Sequence, residues 1–108
     1  MVRTMSEPRR LFGDSLFPLG KVVATKTIMN LMAEGPGPEG WVLDCLYRHA
    51  RGDWGDLCEE DEQANDDALD AGDPGRILSA YVSGEYGKIW IITEWDRTIT
   101  TILRPEEY

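Results

Sequence analysis

Between Arg76 and Leu103 the chain holds three runs dense in β-branched and aromatic residues. Arg76-Ile-Leu-Ser-Ala-Tyr-Val82, Lys88-Ile-Trp-Ile-Ile-Thr-Glu94 and Thr98-Ile-Thr-Thr-Ile-Leu103 each read as a strand. The connections are short: Ser83-Gly-Glu-Tyr-Gly87 is a hairpin loop and Trp95-Asp-Arg97 a tight turn. Strands joined so closely pair antiparallel, so this third predicts a meander. The middle run puts Ile89, Trp90, Ile91 and Ile92 on both faces, which predicts a central, covered strand with Trp90 in the core.

The preceding half reads as helical. Gly20–Thr25 is a short strand, after a packed loop carrying Leu11, Phe12, Leu16, Phe17 and Leu19. Thr25 or Thr27 can cap a helix whose apolar residues Ile28, Leu31 and Met32 share one face, and Gly35-Pro-Gly-Pro-Glu-Gly40 stops it. A second helix runs from about Pro38 to Arg51, with Trp41, Cys45, Leu46 and His49 on one side and Gly52 ending it. Helices before and strands after predict an α+β domain over residues 11–108. It has about three helices packed on one face of a C-terminal antiparallel meander of three strands, plus a short N-terminal strand. Residues 1–10 lack periodicity and read as a flexible tail.

Charge is distributed unevenly. Of 20 acidic residues, Asp53, Asp56, Glu59, Glu60, Asp61, Glu62, Asp66, Asp67, Asp70 and Asp73 lie between Gly52 and Gly75, where there is no Lys or Arg. Outside that stretch the remaining acids and the 11 bases almost cancel, although the whole chain carries −9. Most of the stretch reads as a third helix of about 16 residues, roughly 24 Å long. Asp56 suits its N-cap, and Glu59 completes a capping box. Leu57, Ala64, Ala68 and Ala71 fall in a narrow sector with Leu69 beside it, and Glu59, Glu60, Glu62, Asp66, Asp67 and Asp70 cover the other face. Asp is a poor interior helix residue, and like charges four apart repel. The helix must therefore be held by tertiary contact.

Other classes are disfavoured. No run approaches the roughly 18 apolar residues of a membrane helix, and no signal peptide is legible; the reading is cytoplasmic. Cys45 and Cys58 form no disulfide framework, no zinc or calcium loop is present, and no cofactor is implied. Net charge of this sign opposes direct nucleic-acid binding and favours a basic partner. Ser15, Ser79 and Ser83 lack the setting of a nucleophile.

A resemblance adds context. His49-x-x-Gly-Asp-Trp-Gly-Asp56, Asn65 and Ala68, Arg76-Ile-x-Ser-x-Tyr81, Lys88-x-Trp-x-Ile-Thr-Glu-x-Asp-Arg97 and Thr100-Thr-x-Leu-x-Pro-x-x-Tyr108 resemble a family of short "plasmid-related" proteins of plasmids, integrative elements and phages. The resemblance spans roughly residues 45–108 and implies a mobile-element setting, with no activity to carry onto individual residues.

Two functional expectations follow. In the first, the acidic helix imitates the charge of a nucleic acid and fills a basic groove of a host nucleic-acid-directed defence system, restriction or CRISPR; the plain alternative is a solvated helix face that aids solubility. Asp53, Trp54, Asp56, Glu59, Glu60, Glu62, Asp66, Asp67 and Asp70 would be its contact residues. Trp54 reads either as an interface anchor or as a side chain folded into the core. In the second, the chain is a small metal-independent RNase of barnase- or RelE-like build, with His49 or Glu94 as general base and Arg97 on the phosphoryl charge. The plain alternative for those residues is a helix-terminal His and a turn Arg paired with Asp96.

Overall fold

The computed structural model describes residues 2–4, 15–70, 72 and 74–108, with no account of the side chains of residues 2–4. Its elements are β1 (Val2–Thr4), β2 (Lys21–Thr25), α1 (Lys26–Ala33), α2 (Pro36–Ala50), α3 (Glu59–Ala68), β3 (Ile77–Ser83), β4 (Gly87–Thr93), β5 (Ile99–Leu103) and a closing 3-10 turn (Pro105–Glu107). The class is α+β, with three helices and a mixed sheet among the described residues.

The strands run in the order β1-β2-β5-β4-β3. β3, β4 and β5 form the antiparallel meander that their short connections demand, in register Ile77↔Thr93 and Ile92↔Thr101. β2 joins β5 in parallel, Val22 opposite Thr100, and extends the sheet on that side. Where the sequence reads as a tail, Val2–Thr4 instead pairs antiparallel with β2. The rest of that tail lies outside the described residues, as do Leu11, Phe12 and Ala71.

Alternation along the strands selects one face for the core. Val22, Ala24, Ile77, Tyr81, Ile89, Ile91 and Ile102 meet Ile28, Leu31 and Met32 of α1 and Val42, Cys45, Leu46 and Ala50 of α2. Each large aliphatic buried there contributes about 1.5–3 kcal/mol. Thr25 caps α1, its hydroxyl accepting from the Ile28 N–H at 3.4 Å. α2 starts at Pro36, earlier than the sequence suggests, because Pro at a first turn loses no hydrogen bond it could have made. β4 is interior and covered, but Trp90 is only half-buried, standing edge-on to Tyr108 with ring centroids 5.8 Å apart on the face away from α1 and α2.

Candidate functional site

An open edge strand presents a row of unpaired N–H and C=O groups, which proteins normally cover. β3 is such an edge, and the segment from Asp53 to α3 covers it. Ala80 donates its N–H to the Trp54 carbonyl (3.2 Å) and accepts from the Asp56 N–H (2.7 Å). Further along, Val82 donates to Asp56 Oδ2 at 3.0 Å. At the other end the buried Asn65 takes the place of a strand residue: its Oδ1 accepts from the Leu78 N–H (3.0 Å) and its Nδ2 donates to the Leu78 carbonyl (2.6 Å). Gly55 makes the close approach, at φ +75.

The same contacts explain how a helix of such composition forms. α3 begins at Glu59 behind Cys58, which supplies no side-chain cap. The expected cap and capping box at Asp56 are therefore corrected: the Asp56 carboxylate is turned to β3 instead. The 10 residues of α3 span roughly 15 Å rather than the longer rod expected. Its inward side carries Asn65 and Ala68, with Leu57 and Leu69 half-buried alongside, whereas Ala64 is exposed. Glu59, Glu60, Asp61 and Glu62 occupy the first turn, where negative charge complements the free N–H groups that a cap would have satisfied. At the other end Arg97 donates from Nη2 to the Ala68 carbonyl (2.7 Å) and from Nη1 to the Gly75 carbonyl (2.5 Å). Trp54 Nε1 donates to Asp66 Oδ1 at 3.2 Å. Asn65→Ala removes both bonds to Leu78 and leaves two backbone groups unsatisfied. A loss of about 2–3 kcal/mol is expected in urea denaturation, and wild-type stability would show that Asn65 is not the clamp.

The structure divides the expected contact residues. Trp54 is 5 % exposed and packs against Phe17 and His49, so it belongs to the core and is no surface anchor. Asp53 is spoken for: Arg48 Nε donates to its Oδ2 at 2.8 Å and Nη2 to its Oδ1 at 3.3 Å, and that pairing holds its pKa below the usual carboxylate value. Asp56 serves β3, and Asp66 is exposed but holds Trp54. Glu59, Glu60, Glu62, Asp67 and Asp70 remain as exposed carboxylates. Asp67 accepts from Gln63 Nε2 and Asp70 from the Gly72 N–H, which orients them without neutralising them. The cation nearest in role, Arg97, spends its donors on backbone carbonyls.

The ribonuclease constellation is not assembled. His49 is fully buried, between Ser79 Oγ (2.6 Å from Nδ1) and Thr93 Oγ1 (2.9 Å from Nε2). Thr93 Oγ1 lies 2.7 Å from Thr100 Oγ1, which donates to the Leu19 carbonyl. A carbonyl only accepts, so the chain of donors has one direction up to the ring: Thr100 to Leu19, Thr93 to Thr100, and His49 Nε2–H to Thr93. Nε2 therefore carries a hydrogen, and burial keeps the ring neutral, which leaves Nδ1 to accept from the Ser79 hydroxyl. Burial first, and the nearby positive charge of Arg97 second, push its pKa down to about 3. A general base needs access to substrate, and this histidine has none. Arg97 donates to the Glu94 carbonyl (3.0 Å) as well as to Ala68 and Gly75, and Asp96 accepts from the Thr98 N–H and hydroxyl instead of pairing with Arg97. Cys45 is buried, its thiol pushed up to about 12 by burial, and Cys58 is exposed.

Among the described residues no cluster of three or more His, Cys, Asp or Glu side chains is arranged to hold a metal, and no helix is long and apolar enough to cross a membrane. Fold and site together define a class: an α+β protein whose sheet edge is sealed by a short carboxylate-rich helix. No protein-family model, curated protein or solved structure matches the chain.

Proposed function

We propose that the protein is a non-enzymatic inhibitor carried by a mobile element, which occupies a basic groove on a host restriction or CRISPR enzyme with the outer face of α3. The observation that supports this is the exposure of Glu59, Glu60, Glu62 and Asp67, with Asp66 beside them, on one helix of 10 residues. Five carboxylates over roughly 15 Å give about one charge per 3 Å, close to the roughly 3.4 Å phosphate spacing of a single nucleic-acid strand. Carboxylates held on a clamped helix meet a cationic groove with little ordering cost, and their field favours its approach. The resemblance to plasmid-related proteins supplies the setting.

The test is DNA cleavage by a purified type I restriction endonuclease and by a purified CRISPR effector complex, with the protein added. Wild type is expected to inhibit one of them. Glu59→Lys/Glu60→Lys/Glu62→Lys/Asp67→Lys is expected to weaken inhibition by 100-fold or more while far-UV circular dichroism stays native. Because Lys in a first turn opposes the helix dipole, the Gln/Asn version of the same four positions serves as the gentler variant. Undiminished inhibition by both variants would exclude the acidic face.

A further inference from the structure

We infer that the cover of β3 is built in two parts that open separately: residues 57–70, which carry α3, swing off the Leu78 end of the strand as one unit, while Asp53–Asp56 stay seated and the sheet stays folded. The strand meets the two parts at different residues. Ala80 is paired by backbone, its N–H donating to the Trp54 carbonyl and its carbonyl accepting from the Asp56 N–H. Leu78, two residues earlier, is met by a side chain, the amide of Asn65.

The first part is rooted in the core. Trp54 is buried against Phe17 and His49, and the Tyr81 hydroxyl donates to the Asp53 carbonyl. Lifting this part takes an indole out of the interior, and tryptophan has one of the largest apolar surfaces a residue can bury. The second part has no such root. α3 buries Asn65 and Ala68, with Leu57 and Leu69 half-buried alongside. Polar bonds hold it: Asn65 to Leu78, Trp54 Nε1 to Asp66 at 3.2 Å, and Arg97 Nη2 to the Ala68 carbonyl at 2.7 Å. Water replaces such bonds at modest net cost. The helix adds little stability of its own. Asp66 and Asp67 lie in its last turn, at the negative end of the dipole, where no basic residue answers them. Segments with few buried apolar contacts open at a fraction of the global unfolding free energy.

The division has a consequence for the sheet. A bare edge strand invites pairing with another chain, and that pairing needs a row of free N–H and C=O groups. When residues 57–70 leave, Ala80 stays covered by Trp54 and Asp56, and the Val82 N–H by the Asp56 carboxylate. The opening bares the N–H and C=O of Leu78 alone. The acidic helix therefore moves on a base that stays sealed.

Amide hydrogen exchange of isotope-labelled protein, read by NMR in urea below the unfolding transition, is the test. After correction for intrinsic rates, Leu78 is expected to exchange roughly 100-fold or more faster than Ala80 and to respond weakly to urea, because a local opening exposes little surface. Ala80 should respond steeply, as global unfolding does. Ile28→Val is the second arm, since Ile28 is fully buried in the main core under α1. It lowers global stability and leaves the opening of residues 57–70 alone, so Ala80 should speed up about 2- to 12-fold while Leu78 is unchanged. Equal protection and equal urea dependence at Leu78 and Ala80, with both accelerated in Ile28→Val, would overturn the inference and make the cover one unit with the sheet. Fast exchange at Ala80 and Leu78 together, with Ile91 of β4 still slow, would overturn it too, because the whole cover would then lift at once.

Discussion

Gly55→Ala is expected to cost more than about 3 kcal/mol and to lower the melting temperature by roughly 12–24 °C, if the chain folds at all. The reason is backbone geometry. Gly55 sits at φ +75, bridged in parallel to Ala80, and a Cβ built on it would lie 2.0 Å from the Ala80 carbonyl oxygen and 2.7 Å from Tyr81 Cδ1. The oxygen cannot retreat, because it accepts from Asp56 while the Ala80 N–H donates to Trp54. The ring cannot retreat either: Tyr81 is buried, and its hydroxyl donates to the Asp53 carbonyl at 2.7 Å. Relief would require lifting the loop from β3, which unpairs the edge, uncovers Trp54 and frees the start of the acidic segment. Gly84, in the β3–β4 hairpin, provides the contrast. A Cβ there meets nothing within 4 Å, so Gly84→Ala should shift stability by less than about 1 kcal/mol. Thermal denaturation of the pair measures the difference, and similar melting temperatures would mean that the edge seal contributes little.

The elements were more legible than their arrangement. Strands rich in Ile, Thr and Trp declare themselves locally, and β3, β4 and β5 lie within a residue or so of their sequence boundaries. The helical face of Ile28, Leu31 and Met32 is likewise local. The parallel partnership of β2 with β5 is not, since it joins Val22 to Thr100 across most of the chain and no turn residue announces it. Trp54 could be read as surface or core, and only the proximity of Phe17, 37 residues earlier, and of His49 decides for the core.

The acidic stretch was legible as a charge block and misread as a rod. Helical-wheel reasoning chose Ala64 for the packed face because it sorts by hydrophobicity. The residue that fastens α3 is polar. Asn65 belongs to neither face of that wheel, and its function depends on the unpaired Leu78 edge 13 positions away. The signal that could have found it is an amide set among carboxylates: at this one inward position a donor is needed as well as an acceptor, which Asp or Glu cannot supply. Asp56 was misassigned for a related reason. A carboxylate that could cap a helix can equally accept from a strand, and the open N–H of Val82 competes for it. Thus Asp53, Asp56 and Asp66 hold the structure together, and the block of charge divides into a part that ties the segment to the sheet and core and a part that faces solvent.

Stability should fall steadily as pH drops from about 6.5, by about 2–3 kcal/mol at pH 4.5, and the slope should belong to His49. Its pKa is lowered in the folded state to about 3 from 6.5, so below pH 6.5 the unfolded chain takes up a proton that the folded chain refuses. The stabilisation is complete above pH 6.5 and is lost on the way down, at up to 1.36 kcal/mol per pH unit. Structure supplies the reason for the refusal. Protonation would place a cation in a fully buried site shared with Phe17 and Trp54, and would turn Nδ1 from acceptor to donor against Ser79. Arg97 adds like charge. The other ionisable neighbours do not offset it: Cys45 stays a neutral thiol, and the Asp53 carboxylate is already committed to Arg48. Asp53, Asp96 and Glu107, whose pKa values are also lowered, begin to lose their contributions only as pH nears 4.5 and below, so most of the slope between 6.5 and 4.5 belongs to the histidine. Urea denaturation at half-unit steps of pH reads the slope. In His49→Gln, which has no titrating group there, overall stability should drop but the curve should be flat over that interval; an unchanged slope would place the acid sensitivity elsewhere than in the Ser79–His49–Thr93–Thr100 chain.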